Sequence, residues 1–158
     1  MKRSLLPLLA AIALPTSVNA EITNDYILKT NQSKKLFSER KFSEAEKICD
    51  ELIEISPDNP NGYVCKGIAL VSNSKNKKKR EAIRNFTKAI KINPENYDAY
   101  FFRGALQFRM PRRQGLGIAR TACIDMSKAY FKNHPAALDF VKKHKSDLQA
   151  ECYQFINE

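Results

Sequence analysis

The stretch between residues 81 and 104 has the clearest alternation of hydrophobic and polar positions in the chain. In its first half, apolar residues recur at intervals of three and four, which places them on one face of a helix. Pro94 lacks a backbone donor and disfavours helical geometry at Asn93, so this helix is predicted to end there. A second periodic run follows almost at once, and two helices joined by so short a turn pack antiparallel. The apolar positions are Ala82, Ile83, Phe86, Ala89, Ile90 and Ile92, then Ala99, Tyr100, Gly104 and Leu106.

A similar helical face lies earlier in the chain, over residues 42–55, and Pro57 is predicted to terminate it. Ser43 is the candidate N-cap of this helix, because Glu46 stands three residues later, where a capping box places its acidic partner. Residues 21–31 are polar and poorly patterned. They predict a loose lead-in that becomes helical near Tyr26.

The spacing of Ala82, Phe86, Ala89 and Pro94, followed by Tyr100 and Gly104, resembles the tetratricopeptide repeat, a helix–turn–helix unit of about 34 residues. The match is specific because several residue types fall at their required offsets together. It implies an all-α fold: a short α-solenoid of about three helix–turn–helix units plus a C-terminal capping helix that covers the last repeat. The predicted units are residues 26–59, 60–96 and 97–135, and the capping helix covers about 136–156.

The N-terminal residues have a different character. Lys2 and Arg3 precede an apolar run over residues 5–14, and Ala20 follows small or modest side chains. This pattern is typical of a secretory signal peptide over residues 1–20, cleaved after Ala20. The run is too short for the alternative, a bilayer-spanning anchor. We therefore expect an exported domain over 21–158, in the periplasm of a bacterium or, if the host is photosynthetic, in the lumen of an internal membrane system.

Four cysteines in an oxidising compartment favour structural disulfides, although buried free thiols remain an alternative. Sequence alone permits three pairings. We prefer Cys49 with Cys65 and Cys123 with Cys152, because each pair would join neighbouring helices at similar heights.

The chain is basic, with 27 Lys and Arg against 17 Asp and Glu and a net charge of +10. This balance favours acidic partners or anionic surfaces. No signature of a nucleic-acid-binding fold is present, so nucleic acid is not an expected partner. Only two histidines occur, and the sequence has no Gly-rich phosphate loop and no metal-ligand spacing. We therefore predict neither an enzyme nor a bound cofactor or metal.

The resemblance implies that the first helix of each unit lines a concave groove. An apolar groove left open favours docking of a partner protein or peptide. Three alternatives stay open: residues 21–26 of the chain fill the groove, a second copy of the chain fills it, or the groove side chains are ordinary packing in a short solenoid. The family's clamp for a peptide carboxylate is not predicted, because its positions hold Thr30, Cys65, Asp98 and Phe102. The groove positions are Thr30, Lys34, Phe37, Val64, Ile68, Val71, Phe101, Ala105, Phe108 and Arg109.

Basic residues cluster in the two turns that join the helices of the second and third units. In a solenoid such turns emerge along one edge, so they would form a positive rim. The rim gives an alternative function, binding of a lipid head group, an acidic polysaccharide or an acidic protein; a solvated loop is the simpler interpretation. The rim residues are Lys75, Lys77, Lys78, Lys79, Arg80, Arg109, Arg112 and Arg113.

Overall fold

Antiparallel helix pairs follow from the alternation of apolar faces and turn residues along the chain. The structure, a computed structural model, describes residues 16–73, 78–110, 116–146, 148 and 152, and this part of the chain contains seven helices and no strand. Each helix packs against the next one in sequence, and α3 also contacts α5. The predicted all-α solenoid is confirmed. The helices are α1 (Thr16–Ser38), α2 (Phe42–Ile55), α3 (Pro60–Ser72), α4 (Lys79–Ile92), α5 (Tyr97–Phe108), α6 (Leu116–Phe131) and α7 (Pro135–Lys143).

The turns between consecutive helix pairs share one chemistry. The helices α2 and α4 each end two residues before a proline, Pro57 or Pro94, as the sequence predicts. Asn59 and Asn96 are the N-caps of the helices that follow. The Asn96 side chain accepts a hydrogen bond from the backbone N–H of Ala99 at 2.9 Å, which satisfies a donor that the first turn of α5 would otherwise leave without a partner.

The closest approach of two helices within a pair depends on glycine. A Cβ placed on Gly67 of α3 would lie 2.4 Å from Cε1 of Phe86, a fully buried ring on α4. Gly104 has the same place on α5, where a Cβ would lie 3.1 Å from the backbone oxygen of Ala122 on α6. These distances leave no room for a methyl group without displacement of the facing helix.

In all three helix pairs, the residue four positions before the close-packed glycine contacts the second helix of the pair. The glycine is Gly67 in the second pair and Gly104 in the third, and the buried Ser33 takes its place in the first. In the second and third pairs, a lysine ammonium lies 5.9 and 4.7 Å from the centroid of a tyrosine ring. In the first pair an ion pair at 2.6 Å replaces this contact. The three contacts are Lys29 with Glu51, Tyr63 with Lys88, and Tyr100 with Lys128.

Both preferred disulfide pairings are present in the structure. Cys49 of α2 is bonded to Cys65 of α3, and Cys123 of α6 is bonded to Cys152, with a Cα–Cα distance of 5.5 Å in each case. The first bond joins one helix pair to the next. The second bond attaches the segment after α7 to the last helix pair. The bonded cysteines are 16 and 29 positions apart in sequence. A cross-link that closes a loop of this size stabilises the fold by about 3 kcal/mol, chiefly by restricting the unfolded chain.

Two expectations about the N-terminal half are wrong. Residues 21–31 are not a loose lead-in, because α1 is already helical at Thr16. Ser43 does not cap α2, whose N-cap is Lys41. Instead, the Ser43 hydroxyl accepts a hydrogen bond from the Asn73 side chain at 3.0 Å, across to the end of α3.

The C-terminal capping helix differs from the single helix expected over 136–156. The helix α7 ends at Lys143, and a turn at His144 separates it from residues 145–146, 148 and 152, which are again helical. The rest of that range lies outside the described residues, as do residues 1–15 of the predicted signal peptide.

The contact between Gly67 and Phe86 can be tested by substitution. Gly67→Ala should lower the free energy of unfolding by about 1–2 kcal/mol, because overpacking against the ring outweighs the gain of about 1 kcal/mol in helix propensity. In a Phe86→Leu background the same substitution should be neutral or stabilising. Urea unfolding of the four proteins measures both effects, and a higher midpoint for Gly67→Ala alone would show that the contact is not close.

Candidate functional site

A cleft of about 270 Å³ opens between α3 and α5. Its wall is mostly apolar, and two exposed cations, Lys79 and Arg109, lie at its border. Val71 is the most accessible apolar side chain among the described residues of this wall, with 43% of its surface exposed. The lining residues are Ile68, Val71, Ser72, Lys79, Phe86, Phe101, Phe102, Ala105, Leu106 and Arg109.

The cleft brings together half of the predicted groove residues. Ile68, Val71, Phe101, Ala105 and Arg109 all line it. The first four lie on α3 and α5, the first helices of the second and third pairs, as the resemblance implies, and Arg109 is the C-cap residue of α5.

The other predicted groove residues lie elsewhere. Val64 is a buried core residue, and Phe37 packs against Phe42 with ring centroids 6.4 Å apart. Lys34 is exposed on α1. The Thr30 hydroxyl donates a hydrogen bond to a backbone oxygen of its own helix. Phe108 contacts α7 instead of the cleft.

Sequence reasoning missed several residues that line the cleft. Lys79 was assigned only to the basic rim, although it borders the cleft from the start of α4. Phe102 was considered only as a position of the carboxylate clamp, and Leu106 only as part of the apolar face of α5, although both line the cleft. The cleft lies between two helices, so it takes side chains from flanks that a one-helix pattern assigns to the interior.

The helix α7 packs against the aromatic residues of α5. Phe101 stacks on His134 with ring centroids 5.0 Å apart, and both Phe101 and Phe108 meet the ring of Phe140 edge to face. The Arg109 guanidinium lies 5.4 Å from the centroid of the Phe140 ring. Phe101 is consequently 9% exposed, which makes it a core residue as well as a wall of the cleft.

His134 fixes the start of α7 relative to α5. Its Nδ1 accepts a hydrogen bond from the backbone N–H of Ala137 at 3.2 Å, and its Nε2 lies 2.7 Å from the carboxylate of Asp98. A ring that accepts at Nδ1 carries its proton on Nε2, so Nε2 donates to Asp98. One imidazole therefore caps α7 and joins it to α5.

A buried ion pair orients α5 between its two neighbours. Both oxygens of Asp125 on α6 accept hydrogen bonds from the Arg103 guanidinium, at 2.6 and 2.9 Å. The third donor of Arg103 reaches the Thr87 hydroxyl of α4 at 2.9 Å. Asp125 is 2% exposed, and a carboxylate so buried needs this two-point partner. Lys66 and Asp50 form the corresponding link between α3 and α2.

The described residues of the basic rim have different surroundings. Lys78 pairs with Glu46 at 3.2 Å, and this hydrogen bond raises the pKa of the lysine, so it stays charged. Lys79 and Arg109 border the cleft, and Arg80 is exposed. The remaining rim residues, Lys75, Lys77, Arg112 and Arg113, lie outside the described residues.

Solved structures with the same architecture are tetratricopeptide domains. The first TPR of Spaghetti (RPAP3), bound to the HSP90 peptide SRMEEVD, matches with a TM-score of 0.63 and 22% identity over 78% of this chain and 94% of that chain. The TPR2B domain of yeast Sti1, in a pHsp70 complex, matches with a TM-score of 0.61 and 21% identity over 82% and 96%. This chain has the tetratricopeptide fold. No protein-family model and no curated protein matches the sequence.

Two kinds of feature are absent from the described part of this tetratricopeptide solenoid. Within it, no three His, Cys, Asp or Glu side chains are grouped so that they could hold a metal ion. No helix in the same residues is long and apolar enough to cross a membrane. The cleft between α3 and α5 is the arrangement on which the functional argument rests.

Two aspartate substitutions separate the accessible wall of the cleft from its buried wall. Phe101→Asp should lower the free energy of unfolding by about 3 kcal/mol or more, because it places a carboxylate among buried aromatic rings. Val71→Asp should change it by less than about 0.5 kcal/mol, because that side chain is already in contact with water. Urea unfolding measures both, and equal losses would mean that α3 and α5 are packed more closely than described.

Proposed function

We propose that this chain is an exported, non-catalytic tetratricopeptide scaffold that binds a protein or peptide through the cleft between α3 and α5. The observation that carries the proposal is the apolar wall with Val71 accessible to solvent. A concave apolar surface that faces water is stabilised when a partner covers it. Support comes from the two solved structures with this fold, a TPR domain bound to an HSP90 peptide and a TPR domain in a pHsp70 complex.

The chemistry of the cleft indicates which kind of segment fits. A volume of about 270 Å³ holds one or two large side chains, so the partner would insert an apolar anchor. Lys79 and Arg109 favour acidic residues beside that anchor, since opposite charges across an interface add specificity. An acidic segment with an apolar anchor is therefore the partner that we expect.

Recognition of a free C-terminal carboxylate is not part of the proposal. Of the four positions that carry the family's clamp, Cys65 is in a disulfide and Asp98 faces His134. Phe102 stacks on Phe86 with ring centroids 5.8 Å apart. None of these side chains supplies a cation, so the partner segment should be internal to its chain.

Partner capture tests the cleft directly. The tagged protein should retain its partner from the host's own extracytoplasmic fraction at high salt, because burial of apolar surface is little screened. Val71→Asp should abolish capture of that partner. Lys79→Glu combined with Arg109→Glu should weaken it at low salt, whereas Arg84→Glu, at an exposed arginine of α4 outside the cleft, should not. Unchanged capture by Val71→Asp would reject the cleft as the site.

The basic rim remains the alternative, with an anionic lipid head group, an acidic polysaccharide or an acidic protein as the ligand. The described residues give it limited support, because Lys78 is already paired with Glu46. The same salt series tests it: material bound by the rim should be lost steeply between low and physiological ionic strength. Replacement of Lys77, Lys78 and Lys79 by Ser should then flatten that dependence.

Export and disulfide formation can be read from one intact mass. Cleavage after Ala20 would remove residues 16–20 from the start of α1 and leave a chain that begins at residue 21. The unreduced protein isolated from its host should therefore have the mass of residues 21–158 and be four hydrogens lighter than after reduction. A chain that keeps residues 1–20 would contradict export by this signal. Equal masses before and after reduction would contradict the disulfides.

A further inference from the structure

The C-terminal half of the solenoid has an exposed aromatic side chain that belongs to none of the described hydrophobic core clusters. Phe131, the last residue of α6, has 63% of its surface exposed, and Ile124 and Tyr130 on the same helix are 39% and 38% exposed. Phe131 separates two clefts. One of these also has Ile124, Lys128 and Lys132 in its wall, and the other has Tyr130 and Lys145.

The charges around Phe131 are nearly all positive. Three lysines line the two clefts with it, Lys128, Lys132 and Lys145. The described carboxylates of α6 and α7 are paired, Asp125 with Arg103 and Asp139 with Lys143. Glu95, from the turn before α5, is the acidic residue in the cleft beside Lys128 and Lys132.

Tyrosine rings hold two of these lysines against α5. The Lys128 ammonium lies 4.7 Å from the centroid of the Tyr100 ring, and the Lys132 ammonium lies 5.9 Å from that of Tyr97. Such contacts limit how far the lysine side chains can move, so the two charges stay beside Phe131. The surface is thus a projecting aromatic ring next to fixed cations. We call it the Phe131 face, defined by Ile124, Lys128, Phe131 and Lys132.

From this arrangement we infer that the Phe131 face binds an anionic lipid surface. Aromatic side chains enter the boundary between head groups and acyl chains, and lysines beside them attract acidic head groups. Each cation close to an anionic bilayer strengthens partition about fivefold. This face is separate from the α3–α5 cleft and from the basic turns, so the inference does not depend on the proposed function.

Shape and charge favour a lipid surface over other occupants. Phe131 projects from the helix end, and a projecting ring must enter its partner; a bilayer boundary accepts it without a preformed pocket. A second copy of the chain would bring the same positive face and be repelled. An acidic peptide would satisfy the charges, and it is distinguished by the experiment below.

The test uses the fact that the chain contains no tryptophan. Phe131→Trp in the full chain places the sole indole on this face. Its emission should shift to shorter wavelength on addition of vesicles of phosphatidylcholine with about one third phosphatidylglycerol, and should not shift with phosphatidylcholine alone. The signal is local, so attachment of the chain through residues 1–20 would not produce it. The matched control is Val71→Trp in the cleft, for which no shift is expected.

Two further variants make the outcome decisive. Sedimentation of the protein isolated from its host with the anionic vesicles should fall about fivefold or more for Phe131→Ser, and raised salt should weaken the binding of the unchanged protein. Lys128→Gln combined with Lys132→Gln should reduce both the binding and its salt dependence. The absence of a wavelength shift at position 131, or equal binding by Phe131→Ser, would overturn the inference. So would a shift caused by an acidic helical peptide in solution when anionic vesicles cause none.

Discussion

The arrangement of this solenoid depends on two places where a helix approaches its neighbour closely through a glycine. Gly67 faces the buried ring of Phe86, and Gly104 faces the backbone of α6. The contact at Gly67 brings α3 close to α4, and α4 packs in turn against α5, so this contact helps to set where α3 and α5 lie relative to each other. The cleft exists between those two helices. The candidate function is therefore a consequence of the same packing that determines the fold.

Links between consecutive pairs complete the architecture. Arg103 joins three helices through one guanidinium, and the pair of Lys66 with Asp50 repeats the link one unit earlier. A disulfide reinforces the second of these junctions, since Cys49 and Cys65 are next to Asp50 and Lys66 in sequence. Charged and covalent links between units stiffen a solenoid, whose stability is the sum of that of its repeats and of the contacts between neighbouring repeats. A rigid groove loses less entropy when a partner binds.

Much of the fold could be predicted from sequence because its signals are local. Prolines end helices for reasons internal to two residues, so the ends of α2 and α4 were correctly placed. Ser43 was a reasonable cap by spacing, but Asn73, thirty positions away, takes its hydroxyl. The same contrast between local and distant signals applies to Phe101 in the cleft. Its position on α5 was predictable, whereas its contacts with His134 and Phe140 required knowledge of how α7 returns to the groove.

Whether a partner lies on the wall formed by α3 and α5 can be measured with a photo-cross-linking side chain. Placed at Val71 in the host, it should give one adduct with a partner, and this adduct should persist when cells are washed at high salt before irradiation. The same side chain at Leu28, which is 67% exposed on α1, should give none. An adduct from both positions, or from neither, would contradict a binding site in the cleft.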